Sequence, residues 1–179
     1  MIIEPSGRTS LMVMAIVDDH VTLDLMQRTL DGSGDSLSMA TNLAEGLART
    51  AAEVPDIVFV DVSLGRNAGL AVVHHLRALA PTVQVYAMAR ADRLELGTQA
   101  GSLGGAGLLM LPLSGDELLT VLADVRARRN ERLLREKLER DAQESRRGVS
   151  LLGRVAELPE APTPREAAEL LVELRQHEV

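Results

Sequence analysis

Three aspartates stand where apolar runs end. Asp18 and Asp19 follow "LMVMAIV" (residues 11–17), and Asp61 lies within "IVFVDV" (57–62). If those two runs are neighbouring strands, their carboxylates converge on one spot. Crowding disfavours the ionised forms unless a cation joins them, and hard oxygen ligands with room for waters suit Mg²⁺. A carboxylate beside such a cation is also a nucleophile toward phosphoryl groups, giving an aspartyl phosphate. Taken alone, the Asp18–Asp19 pair reads more simply as strand-end or helix-cap acids.

Other residues that invite a chemical role carry less. His74 and His75 are neighbours on a predicted helix, so they point to different faces, and no carboxylate lies at ligand spacing. They read as structural or solvated histidines, and His20 as the start of a helix. "GSLGGAG" (101–107) precedes a strand instead of opening a helix, so it is a turn and not a phosphate loop.

The acids need a frame, and the pattern of the chain supplies one. Predicted strands at 11–17, 37–41, 57–62, 83–89 and 107–111 alternate with predicted helices at 22–30, 43–54, 70–79 and 92–100, and a last helix starts near Asp116 with Ser114 as its cap. "SLGRNAG" (63–69) reads as a loop. Such alternation implies a parallel sheet covered on both faces, in which ligands gather at the carboxyl ends of the strands beside the topological switch point.

At these residues the sequence resembles the receiver domain of bacterial two-component response regulators. The likeness rests on "VDDH" after the first strand, "FVDVSLGRNAGL" around Asp61, Gly69 eight residues after that aspartate, and Pro112 closing the fifth strand, and it covers roughly residues 11–125. It implies a flavodoxin-like, doubly wound, five-stranded α/β fold. It also implies Asp61 as phosphoacceptor, Asp19 as a direct Mg²⁺ ligand, Asp18 as an acid working through bound water, and the backbone carbonyl of Ser63 as a further ligand. A sensor histidine kinase is the implied partner.

The sequence departs from the family at the switching residues. Where the family carries a Ser or Thr at the end of strand four, this chain has Met88. The lysine before the strand-five proline is replaced by Leu111, and the single lysine of the protein is Lys137, far along the last helix. The rotating aromatic of strand five is Leu108, and the proline four residues after the phosphoacceptor is Gly65. An arginine such as Arg90 could lean into the site, although its planar fork does not copy a point charge. The expectation is an atypical receiver that keeps its metal-binding acids while its response to phosphorylation is weakened or absent. The alternative is a pseudo-receiver, a protein-interaction and dimerisation module that works without phosphate. Neither is an enzyme beyond self-phosphorylation on Asp61.

Composition bounds the rest. There is no cysteine among the 179 residues, which excludes disulfides and thiolate metal sites and makes the cytoplasm the expected compartment. The apolar run at 11–17 is too short to span a bilayer. Residues 11–125 carry six basic and fourteen acidic side chains, whereas 126–147 carry nine basic and five acidic. With one Phe and one Tyr in the whole chain, that basic run lacks the interleaved aromatics of a nucleic-acid surface, and no direct nucleic-acid binding is expected. Four segments are therefore expected: an N-terminal extension (1–10), the receiver-like domain (11–125), a helical linker (126–158) and a C-terminal helix (159–179) that begins a further module. In the linker, Leu138, Ala142, Ser145, Val149, Leu152 and Ala156 keep an interrupted heptad spacing, which points to a coiled coil and a homodimer. Thr163, Pro164 and Glu166 make a helix start, with Ala167, Leu170, Leu171 and Leu174 as its apolar stripe.

Overall fold

The computed structural model describes residues 10–156 together with Arg165 and Val172, without the side chains of 66, 67, 79 and 147–156. Five strands, β1 (Met12–Ile16), β2 (Ser36–Ala40), β3 (Ile57–Asp61), β4 (Gln84–Arg90) and β5 (Gly107–Leu111), alternate with five helices, α1 (His20–Leu30), α2 (Leu43–Glu53), α3 (Leu64–Leu79), α4 (Leu94–Ser102) and α5 (Gly115–Ala156). All strand pairs are parallel, and the order across the sheet is β2-β1-β3-β4-β5. This is the expected doubly wound receiver architecture. The chain separates into two compact units, Met1–Arg129 and Asn130–Val179.

The sheet forms because its central strands are apolar on both faces, the signature of parallel strands buried on both sides. Val13, Ala15, Ile57, Phe59 and Met88 point to a layer completed by Leu23, Met26 and Leu30 of α1 and Leu118, Leu122 and Val125 of α5. Met14, Ile16, Val58, Val60, Val85 and Ala87 point the other way, against Val72, Val73 and Leu76 of α3 and Ala100 of α4. The edge strand β2 is only partly covered, in keeping with its polar alternation "SLSMA".

Three helix starts differ from expectation. α4 begins at Leu94, after a 3-10 turn at Ala91–Arg93, rather than at Asp92. α1 begins at His20, with Asp19 as its N-cap, rather than at Thr22. α3 begins at Leu64, six residues before the predicted Leu70, so most of "SLGRNAG" is helical. Its turn-forming composition suggested a loop, and part of that character survives: Gly65 has φ of 56°, a conformation that glycine adopts without steric cost and that breaks the regularity of the first turn. At the other end of the domain, Ser114 and Glu117 form a reciprocal capping box at the start of α5.

Farther along, α5 is tied to the amino ends of the strands. Arg126 Nη2 donates to both Asp35 carboxylate oxygens, at 2.9 and 2.8 Å. Arg129 Nη1 donates to the Ser10 carbonyl at 2.7 Å and to Asp56 Oδ2 at 3.2 Å. The same two aspartates accept from the amide just before β1 and from its first amide, Leu11 N at 2.7 Å and Met12 N at 2.9 Å. The Asp35 side chain is fully buried. Burial alone would raise its carboxyl, but the bonds from Leu11, Arg126 and Ser33 outweigh that and hold it below its ordinary value.

In the second unit, α5 carries i,i+4 ion pairs such as Arg135–Glu131, and Leu134 and Leu138 are exposed. Of the predicted heptad, the Val149, Leu152 and Ala156 side chains lie outside the described residues. So does most of the predicted C-terminal helix; Arg165 and Val172 are helical. The expected extension at 1–10 is described only at Ser10. Among the described residues, no helix is long and apolar enough to cross a membrane.

Candidate functional site

β1 and β3 pair directly, with Ile16 opposite Val60, so the residues that follow them share one edge of the sheet. Asp61 is the last residue of β3, and Asp18 and Asp19 lie in the turn that joins β1 to α1. The structure thus places all three predicted acids at the carboxyl ends of adjacent strands. It does not draw them into a ready cation cage: among the described residues, no three of His, Cys, Asp and Glu stand together as a metal-binding group.

Local hydrogen bonds explain this. Asp19 Oδ2 accepts from Thr22 N at 3.1 Å and from Thr22 Oγ1 at 2.5 Å, which caps α1. The Thr22 hydroxyl is the main cause of a carboxyl held below its ordinary range, and the charge of Arg90 adds to the effect. Asp61 is 5% exposed, and its Oδ1 accepts from Ser63 N at 2.8 Å and from Ser63 Oγ at 2.7 Å. Its Oδ2 accepts no bond from a described residue. Every buried side-chain nitrogen or oxygen among those residues has a partner, so Oδ2 must keep contact with solvent. Asp61 therefore offers one anchored and one free oxygen. Asp18 is exposed, and Asp19 keeps Oδ1 clear of its cap. Hard oxygen donors with one free lobe each fit a cation that retains part of its water shell.

Gly69 explains the spacing that the sequence drew attention to. A Cβ there would lie 2.6 Å from the Asp61 carbonyl oxygen and 2.7 Å from Val62 Cα. Only a glycine lets α3 approach the backbone at the end of β3 this closely, and that contact holds Asp61 at the edge of the sheet.

The wall beside Asp61 is apolar. Met88 is its direct partner on β4 and is fully buried, and Leu111, at the end of β5, is 7% exposed. Both belong to the hydrophobic layer shared with α1 and α5. Leu108 faces the opposite layer, where its Cδ1 fills the notch at Gly97 of α4; a Cβ at Gly97 would be 2.5 Å away. These three positions hold packing side chains with no polar atom to offer a ligand. Past them, Arg90 ends β4 opposite Leu111 and is exposed. His20, His74 and His75 are also exposed and make no metal group.

Sequence reasoning did not identify the Thr22 hydroxyl or the Ser63 side chain as the groups that orient the acids. Thr22 stands three residues after Asp19, which is the N-cap spacing and the signal that was available.

Over residues 13–123 the sequence matches the response regulator receiver domain family. It is 28% identical over 108 residues to the transcriptional regulatory protein ZraR of Escherichia coli (strain K12), an alignment covering 60% of this chain and 24% of that protein. It is 29% identical over 133 residues to the response regulator MprA of Mycobacterium leprae (strain TN), covering 74% of this chain and 55% of the relative. The chain thus spans about a quarter of ZraR and about half of MprA. The fold matches that of the REC domain of AraT, a response regulator from Geobacillus stearothermophilus, with a TM-score of 0.64 at 19% identity, over 69% of this chain and 98% of that one. Receiver domains of this kind interact with histidine kinases and generally bind Mg²⁺ at the phosphorylation site. With the family matched across most of the first unit and its acids at the ends of neighbouring strands, the chain belongs to the response regulator receiver domain family of two-component signalling.

Proposed function

We propose that Asp61 is the phosphoacceptor and that the response to its phosphorylation is weakened. The observation that carries the first half is the asymmetry of its carboxylate, with Oδ1 held by Ser63 and Oδ2 free at the edge of the sheet. In the transfer, the bond between phosphorus and the donor breaks, a bond forms between phosphorus and Asp61 Oδ2, and the donor group leaves. Asp18, Asp19, Asp61 and the Ser63 carbonyl would hold Mg²⁺. The cation supplies charge neutralisation for the crowded acids and the incoming phosphoryl group.

The second half rests on Met88, Leu111 and Leu108. None carries a group that follows phosphoryl oxygens, and each is already committed to packing. The donor would be a sensor histidine kinase in the cytoplasm. Output would pass through α5 and the linker at 126–158, with a homodimer formed along the exposed leucines of the linker and a further module following residue 159.

The test is incubation with Mg²⁺ and acetyl phosphate, read by intact mass, beside Asp61→Asn. Gain of one phosphoryl group by the native protein alone supports the assignment. No gain at millimolar Mg²⁺ would overturn it and favour a phosphate-independent interaction module.

A further inference from the structure

The carboxyl edge of the sheet carries three acids, and the residue that ends β4 beside them is an arginine. Arg90 lies two positions past Met88, which pairs with Asp61, so their side chains leave the same face of the sheet. Strand rise and spacing put the two Cα atoms about 8 Å apart, within the span of an extended arginine and an aspartate. Arg90 is exposed, and among the described residues its side chain forms no salt bridge within 4 Å.

The other arginines of this unit that precede α5 are engaged elsewhere or are not described. Arg28 pairs with Asp24, Arg49 with Glu45 and Arg93 with Asp92, while Arg77 donates to the Pro81 carbonyl. Arg8 and the Arg66 side chain lie outside the described residues. On the β5 side of the site, Leu111 fills the opposite position with hydrocarbon.

We propose that Arg90 is the cation that pairs with the phosphoryl oxygens carried by Asp61, entering from the end of β4 in place of a cation on β5. The inference rests on Asp61 as phosphoacceptor and adds the group that stabilises the product. With acetyl phosphate as donor, Asp61 Oδ2 bonds to phosphorus while the bond from phosphorus to the acetyl oxygen breaks and acetate leaves with its electron pair, so three phosphoryl oxygens share negative charge. Arg90 meets that charge while remaining protonated, so no proton moves. A guanidinium suits the task because its planar fork engages two phosphoryl oxygens together.

The experiment compares native protein, Arg90→Ala, Arg90→Lys, Arg66→Ala and Asp61→Asn, each with Mg²⁺ and acetyl phosphate, by the rate of phosphoryl gain and by beryllofluoride affinity. Arg90→Ala should lower both by about tenfold, a discounted value for a cation that solvent reaches. Arg90→Lys should recover part of the loss, and Arg66→Ala should match the native protein. The urea midpoint of Arg90→Ala should not move, which separates a charge effect from a structural one. Equal rates for Arg90→Ala and native protein, with Asp61→Asn inert, would overturn the role of Arg90 while leaving Asp61 as phosphoacceptor. Transfer of the loss to Arg66→Ala would do the same. A native protein that gains no phosphoryl group would overturn both.

Discussion

Gly69→Ala sets two effects of opposite sign against each other. In the interior of a helix, alanine is favoured over glycine by about 1 kcal/mol, so propensity alone predicts a more stable protein. The structure predicts the reverse. The new methyl carbon would stand 2.6 Å from the Asp61 carbonyl oxygen, where ordinary contact begins near 3.4 Å, and the neighbours are backbone atoms that cannot rotate away. α3 and β3 must part by about 0.8 Å, and overpacking of this kind typically costs about 1–3 kcal/mol. With the propensity gain subtracted, a net loss of about 0–2 kcal/mol remains. At a urea dependence of about 2 kcal/mol/M, the midpoint should fall by up to roughly 1 M. Gly101→Ala in α4 is the control, because nothing lies within 4 Å of a Cβ there and only the propensity gain should appear. The Gly69 variant should also accept phosphate more slowly, since the shift moves the Asp61 backbone. If both variants move the midpoint upward, the close approach of α3 to β3 is wrong.

Further expectations follow from the hydrogen bonds. Arg126→Met leaves the buried Asp35 carboxylate with its Leu11 and Ser33 donors but no counter-charge; because Arg126 is itself 35% exposed, the loss should be about 2 kcal/mol rather than the larger cost of a sealed pair, read by urea unfolding. Asp35 titrates below its unfolded value of 3.8, so its contribution to stability is fully present above that pH and is lost as pH falls through the lower folded value. Stability measured from pH 5 downward should decline below about pH 4, and Asp35→Asn should flatten the part of the decline that Asp35 causes. Thr22→Val removes the main donor to Asp19, so the Asp19 carboxyl should rise toward its ordinary 3.8 in an NMR titration; an unchanged value would contradict the assigned cause.

Much of the site was legible because the chain announces it locally. Runs such as "IVFVDV" are apolar on both faces, which fixes a buried parallel strand and puts Asp61 at its end. Gly69 was legible as a position and not as a reason, since the reason is a contact with a backbone made only after folding. The start of α3 was not legible, because "SLGRNAG" is rich in turn formers and its helix depends on packing against β3. The Arg126–Asp35 bonds join residues 91 apart, and no local pattern marks them. Even so, each acid sits just before a strand, Asp35 before β2 and Asp56 before β3, and two arginines spaced three apart on one helix face are a pattern that can be sought. The three acids also show how a correct placement falls short of a finished site: they share an edge, while the orientation of each is set by a neighbour, Thr22 or Ser63, that has its own local reason to be there.

The central claim is a phosphoacceptor that survives while its switch is weakened. One titration tests both parts: beryllofluoride is added with Mg²⁺ to uniformly labelled protein and to Asp61→Asn, and amide shifts are followed by NMR. The account predicts saturable changes in the native protein at Asp18, Asp19, Asp61 and Ser63, small changes at Leu108 and along α4 and β5, and none in Asp61→Asn. Shifts across α4, β5 and α5 as large as those at the acids would contradict the weakened switch, and no saturable change at Asp61 would contradict the phosphoacceptor itself.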